Sequence, residues 1–194
     1  NYLAKPDSTG PGTKPLVEVG ILDDDGNIMP QGERGEVCIR TIANFKEYWE
    51  NREATAAAIT ADGFFRTGDI GYLDEDDYLY IVDRKKDIII RGGENISCPE
   101  VEAAIYEHPE IVELSVFGIA DDRYGEVPGV VYQCHEGVTV SADDLKTFLS
   151  TRLAPFKIPA YYWQVTEPLP RLGTQKIDRV TLRREYNALA KATA

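Results

Sequence analysis

Several short stretches of this sequence hold side chains able to bind or stabilise charge. In Phe64-Phe65-Arg66-Thr67-Gly68-Asp69 a carboxylate follows a glycine. An aspartate placed there can accept two hydrogen bonds from a vicinal diol such as a ribose. Taken alone, Thr67-Gly68-Asp69 reads first as an aspartate capping a local turn. Asp83-Arg84-Lys85-Lys86-Asp87 offers an arginine at a strand end, whose guanidinium can fork onto ribose or phosphate oxygens. Its plainer reading is a solvated charge run at a sheet edge. Arg91-Gly92-Gly93-Glu94-Asn95 places two glycines between a strand and a helix start, where a ligand could approach the backbone closely. No Gly-Lys-Ser/Thr follows, so this is not a phosphate-binding P-loop. Finally, Pro168-Leu169-Pro170-Arg171-Leu172-Gly173-Thr174-Gln175-Lys176 reads as a mobile, turn-rich loop presenting one lysine ahead of a helix. Such a lysine is either an ordinary surface residue or a movable positive point charge.

The elements that must position these residues change character along the chain. The first part is punctuated by turns. Ser8 to Pro15 reads as loop, residues 16–22 as a strand, Asp24-Asp25-Gly26-Asn27 as a hairpin turn and residues 36–40 as a second strand. An Ala-rich helix is expected over residues 51–59, with Asn51 or Thr55 as its cap. Residues 71–74 and 78–83 form a hairpin around the acidic turn Glu75-Asp76-Asp77. Short strands at this spacing predict a small β-barrel-like or twisted sheet. After residues 88–91, a buried strand, the pattern becomes alternating helices and strands. Ser97-Cys98-Pro99-Glu100 is a helix start with a serine cap, an early proline and a glutamate at the third helical position. Strands follow at 111–119, 127–134 and 161–165. Helices follow from Ser141 through Leu153 and from Asp178 toward Ala194. The composition shift at residues 83–86 is the best domain boundary, short and charged as suits a hinge.

The bulk composition bounds the partners. A chain of 194 residues with 43% hydrophobic and 28% charged residues predicts a packed soluble core rather than disorder. A formal net charge of −12 argues against nucleic acid or an anionic membrane as the main partner, while leaving room for a local basic phosphate site. No apolar run approaches the roughly 20 residues that span a bilayer, and Asn1-Tyr2-Leu3-Ala4-Lys5 does not read as a signal peptide. Cys38, Cys98 and Cys134 lie at wide, irregular spacing with no CxxC pair, which argues against zinc and fits free thiols in a reducing cytoplasm.

Each motif is weak by itself; their order is not. Phe65-Arg66-Thr67-Gly68-Asp69, Tyr80-Ile81-Val82-Asp83-Arg84-Lys85-Lys86-Asp87, Arg91-Gly92-Gly93-Glu94-Asn95-Ile96, Pro99-Glu100-Val101-Glu102 and Pro170 to Lys176 resemble, in sequence order, the late motifs of the adenylate-forming superfamily. That superfamily comprises acyl- and aryl-CoA synthetases, peptide-synthetase adenylation domains and firefly luciferase. The resemblance extends upstream to Gly32-Glu33-Arg34-Gly35-Glu36 and Tyr48-Trp49-Glu50-Asn51.

The resemblance implies an α+β fold in two parts: residues 1–85 as the small β-barrel-like subdomain ending a large N-terminal domain, and residues 86–194 as a compact α+β C-terminal lid domain that rotates about Lys86. It implies an acid–thiol ligase that adenylates a carboxylic acid with ATP and passes the acyl group to CoA, with a fatty or other aliphatic acid as the expected substrate. Asp69 would bind the ribose hydroxyls, Arg84 would assist at ribose or phosphate, Lys176 would bridge the attacking carboxylate and the α-phosphate, and Gly92 and Gly93 would line the pantetheine tunnel. Relatives usually carry glycine where Gln175 stands, so the lysine loop is expected to differ in shape. The superfamily's phosphate loop ending in Pro-Lys-Gly and its aromatic-Gly-x-Thr-Glu segment for adenine and Mg²⁺ do not occur in these residues. The chain is therefore expected to be a fragment that does not adenylate by itself, with the N-terminal domain as its partner and a cytoplasmic setting. The competing readings are an adenylation domain that loads a carrier protein and a non-catalytic binding module with the lid fold.

Overall fold

The computed structural model describes residues 4–193; the chain-start reading at Asn1 to Leu3 and the helix end at Ala194 lie outside the described residues. The chain folds as two compact units, Asn1–Lys86 and Asp87–Ala194.

The first unit is built on one antiparallel sheet. Strands β1 (Gly10–Pro11), β2 (Val17–Leu22), β3 (Gly35–Thr41), β4 (Phe65–Leu73) and β5 (Tyr78–Arg84) lie in the order β1-β5-β4-β3-β2. The sheet is open, with β1 and β2 at its edges, rather than closed into a barrel. The segment read as loop over Ser8 to Pro15 contains β1, too short to leave a periodic signal. Helix α1 (Arg52–Ala58) begins where the cap residue predicts: Asn51 Oδ1 accepts a hydrogen bond from Ala54 N at 3.0 Å. The acidic turn between β4 and β5 is closed by Asp74, whose Oδ1 accepts from Asp76 N and Tyr78 N at 3.0 and 2.9 Å. Next to it Tyr72 and Tyr80, opposite each other across the two strands, stack with ring centroids 5.0 Å apart.

The second unit is a mixed α+β sandwich. It comprises β6 (Ile89–Arg91), β7 (Glu94–Ile96), α2 (Cys98–Tyr106), β8 (Ile111–Asp121), β9 (Gly125–Cys134), α3 (Ala142–Leu149), a 3₁₀ turn (Pro155–Lys157), β10 (Tyr161–Val165) and α4 (Arg179–Thr193). Strands β8 and β9 form a long antiparallel hairpin, and β10 joins β9 in parallel. Alternation along the hairpin separates two cores. Leu114, Val116, Val130 and Tyr132 pack against Val101 and Ile105 of α2 and Leu145 and Leu149 of α3. Phe117, Ile119, Val127 and Val131 pack against Leu182 and Ala190 of α4. Because both faces are covered, these strands read as continuous apolar runs rather than alternating ones. Ser97 and Ser141 cap α2 and α3 as their sequences predict. Helix α3 stops at Leu149, short of the expected Leu153, and Leu153 packs back onto the core from the following turn.

Candidate functional site

The Thr67-Gly68-Asp69 tripeptide is a bulge inside β4, not a turn preceding a strand. Between the cross-strand pairs Cys38↔Arg66 and Glu36↔Ile70, β3 contributes only Val37 while β4 contributes Thr67, Gly68 and Asp69. Gly68 adopts φ +75°, which favours glycine over residues with a Cβ. The bulge is tied at both ends: Thr67 Oγ1 donates to Val37 O at 2.7 Å and accepts from Asp69 N at 3.1 Å. The extra residues turn Asp69 toward β5, where its register partner is Arg84. The two side chains meet, with Arg84 Nε 2.8 Å from Asp69 Oδ1. The two residues expected at the ribose are therefore adjacent, on neighbouring strands.

Beneath this pair lies a charge cluster that sequence reading missed. The Glu36 side chain, 6% exposed, receives Arg66 Nη1 at 2.7 Å and Lys85 Nζ at 3.1 Å on Oε2, and Gly68 N at 3.3 Å on Oε1. Lys85 also reaches Asp24 Oδ1 at 2.7 Å, and its backbone N donates to Gly68 O at 2.8 Å. Burial pushes the Glu36 carboxyl up, but hydrogen bonds and charge from Lys85 and Arg66 outweigh it and hold the group below its ordinary 4.5. The Asp24 hydrogen bond holds the Lys85 ammonium above its usual value. Neighbouring Cys38 is fully buried, and burial followed by the Glu36 charge pushes its thiol up to about 11, so it is an inert core residue. The only sequence cue to the cluster was the run Gly32-Glu33-Arg34-Gly35-Glu36, in which the polar Glu36 precedes the apolar stretch Val37-Cys38-Ile39.

The boundary between the compact units falls between Lys86 and Asp87. Lys86 is exposed, and the residues on either side are each anchored in their own unit. Lys85 is held by Glu36 and Asp24. Asp87 Oδ2 pairs with Arg179 Nη1 at 2.9 Å, and its carbonyl accepts from Cys98 Sγ at 2.9 Å. Arg179 in turn reaches Glu102 Oε1 at 2.8 Å, and that oxygen also accepts from Val116 N at 2.9 Å.

Gly92 and Gly93 form the two-residue turn of the β6–β7 hairpin, since Arg91 pairs with Glu94. The expectation of a direct strand-to-helix step is corrected by β7, whose three residues precede the Ser97 cap. Their φ values of +57° and +92° match a turn in which both central residues are left-handed. A Cβ on Gly93 would meet nothing within 4 Å, so conformation, not crowding, selects glycine there. Gly92 N donates to Tyr124 O at 2.8 Å, and the Arg91 guanidinium lies 4.2 Å from the Tyr124 ring centroid.

Lys176 stands, exposed, on a closed turn ahead of α4. Gln175 N donates to Leu172 O at 2.9 Å, Leu172 N to Lys176 O at 2.8 Å, and Arg171 and Ile177 form a β-bridge. Arg171 Nη1 holds Gln175 O at 2.7 Å, and its other arm pairs with Glu113 of β8. Gln175 adopts φ +66°. The position thus requires the left-handed conformation that glycine adopts freely, and glutamine adopts it at a cost.

Residues 100–176, within the second unit, match the AMP-binding enzyme C-terminal domain family. Among known proteins, the chain is 42% identical over 169 residues to the crotonobetaine/carnitine–CoA ligase of Escherichia coli, covering 86% of this chain and 32% of that one. It is 42% identical over 186 residues to the 2-succinylbenzoate–CoA ligase of Geobacillus kaustophilus, covering 95% and 36%. Its fold matches that of ATP-bound MatB from Rhodopseudomonas palustris with a TM-score of 0.86 at 33% identity, over 94% of this chain and 36% of that one. The chain thus spans about a third of the length of the curated relatives it matches.

Proposed function

We propose that this chain is the C-terminal part of an AMP-forming acid–CoA ligase, with residues 1–85 closing a large N-terminal domain and residues 86–194 acting as a lid that pivots at Lys86. The observation that carries the reading is the Asp69–Arg84 pair: a carboxylate suited to a diol, set at the β4 bulge, beside a guanidinium suited to ribose or phosphate on β5. Identity with two CoA ligases supports the reaction class.

In this reading the acid's carboxylate attacks the α-phosphorus of ATP, and pyrophosphate leaves. The thiol of CoA then attacks the acyl carbon, and AMP leaves. Both reactants of the first step are anionic, so charge accumulates where they meet. Lys176 supplies the cation that stabilises it, while Asp69 and Arg84 hold the nucleotide's sugar end. Gly92 and Gly93 border the path of the CoA thiol. The N-terminal part supplies the acid pocket, the remaining ATP contacts and the Mg²⁺ site, so the 194 residues alone do not adenylate. The acid is proposed to be aliphatic, fatty acids included. A cytoplasmic setting is supported by three buried free cysteines; no helix among the described residues is long and apolar enough to cross a membrane.

The test is AMP release by the full-length protein from ATP and a panel of carboxylic acids, with and without CoA. Release that rises on adding CoA, with an acyl-CoA product, supports the ligase. Release indifferent to CoA but dependent on a carrier protein overturns it in favour of a carrier-loading adenylation domain.

A further inference from the structure

We infer that Glu36 is a positioning residue for nucleotide binding: a single buried carboxylate fixes the backbone on both sides of the Asp69–Arg84 pair. The inference rests on the reading of Asp69 and Arg84 as nucleotide-binding. Glu36 Oε1 accepts from the N–H of Gly68, the residue before Asp69, at 3.3 Å. Glu36 Oε2 takes the ammonium of Lys85, the residue after Arg84, at 3.1 Å. Lys85 N closes the circuit on Gly68 O at 2.8 Å.

A sheet ladder normally fixes its strands without such help. Here the ladder is interrupted on both sides of the pair. The β3–β4 register shifts between Glu36 and Cys38, and the β4–β5 register shifts between Ile70 and Gly71. Toward β3, Thr67, Gly68 and Asp69 face Val37 alone, and the Glu36 side chain supplies there a bond to the Gly68 N–H that the regular ladder lacks. The chemistry calls for a carboxylate. It faces an N–H, a guanidinium and an ammonium, all donors, and a buried carboxylate is stable there because the two cations flank it. Glutamine is isosteric but turns an amide N–H₂ toward a cation or toward the Gly68 N–H. Aspartate is one methylene too short to span from Gly68 N to Lys85 Nζ. Glu36 itself lies within the sheet and acts through its neighbours, so it differs in kind from Asp69 and Arg84.

The experiment is a double-mutant cycle in the full-length protein, reading KM for ATP and kcat of acyl-adenylate formation, with thermal melting as the fold control. Glu36→Gln raises the KM for ATP about tenfold, since a charge-assisted anchor is lost. In Glu36→Gln/Asp69→Ala the effect is no greater than in Asp69→Ala alone, because Glu36 acts through Asp69. Thioester formation from a supplied acyl-adenylate keeps its kcat, while its KM for the adenylate, which carries the same ribose, rises in parallel. Glu18→Gln, which removes an exposed pair with Arg40 elsewhere on the sheet, leaves all readings unchanged. Should Glu36→Gln fail to fold, Lys85→Gln keeps the Glu36–Arg66 pair and raises the KM for ATP about threefold. A folded Glu36→Gln or Lys85→Gln protein with the parental KM, or additive effects of Glu36→Gln and Asp69→Ala, overturns the inference alone. An Asp69→Ala protein with the parental KM overturns the nucleotide reading and the inference together.

Discussion

Asp69 and Arg84 are direct cross-strand partners on β4 and β5, and Arg84 Nε lies 2.8 Å from Asp69 Oδ1. Their side chains are 26% and 63% exposed respectively, so the pair is accessible to a ligand rather than sealed in the core.

Such exposure limits what the pair contributes to stability to at most about 1 kcal/mol. Asp69→Ala is therefore expected to leave the melting temperature of the full-length protein nearly unchanged while raising its KM for ATP by at least about tenfold. Thermal melting and ATP titration on one preparation check both halves. A large drop in melting temperature with an unchanged KM would mark Asp69 as a structural residue.

Glu36 gives the first unit a pH dependence. Its folded-state pKa is depressed below 4.5 because Lys85 and Arg66 outweigh the cost of burial. A depressed carboxyl stabilises the fold above its unfolded pKa and loses that contribution as pH falls through the folded value. Melting curves taken from neutral pH down to about pH 3 should show stability falling below about pH 4.5, and Glu36→Gln should flatten that part of the profile. An identical profile for the variant would assign the acid lability to other carboxylates.

Arg179 joins Asp87 to Glu102 within the second unit, and the Glu102 side chain is only 17% exposed. Arg179→Ala leaves that carboxylate without its guanidinium and is expected to destabilise the unit by about 2 kcal/mol. Urea unfolding measures this directly; a loss under about 0.5 kcal/mol would place the residue among ordinary surface pairs.

At Gln175 the backbone rather than the side chain is constrained. Its φ of +66° costs a non-glycine residue roughly 1 kcal/mol. Gln175→Gly removes that strain but adds freedom to the unfolded chain, so the two nearly cancel within about 0.5 kcal/mol. A β-branched replacement, Gln175→Val, lacks any offset and should destabilise by about 1–2 kcal/mol. Thermal melting of both variants separates them, and equal melting temperatures would contradict the turn geometry.

The regular elements were readable where local chemistry decides them. Asn51, Ser97 and Ser141 cap their helices because a side-chain oxygen answers an orphan N–H, which needs no tertiary context. Irregular and very short pairings were not readable. The Thr67-Gly68-Asp69 bulge exists only because β3 supplies Val37 alone opposite it. The β6–β7 hairpin hid in Arg91-Gly92-Gly93-Glu94, where three-residue strands carry no periodic signal. Glu36 was hidden for a similar reason, since its partners lie 30 and 49 residues away in sequence. Around Lys176 the sequence shows only that proline and glycine mark a loop. Its closure by Arg171 and Glu113 depends on contacts 58 residues apart.

Lys176, exposed on its turn ahead of α4, is proposed to serve the adenylation step. In the full-length protein, ATP–pyrophosphate exchange and thioester formation from a supplied acyl-adenylate are to be compared for the parent and Lys176→Ala. Loss of one fixed cation at the charge-building step corresponds to roughly 3–4 kcal/mol of barrier, so exchange should fall by about a hundred- to a thousandfold while thioester formation is largely kept. Equal loss in both half-reactions, or retention of exchange, would contradict the role assigned to Lys176.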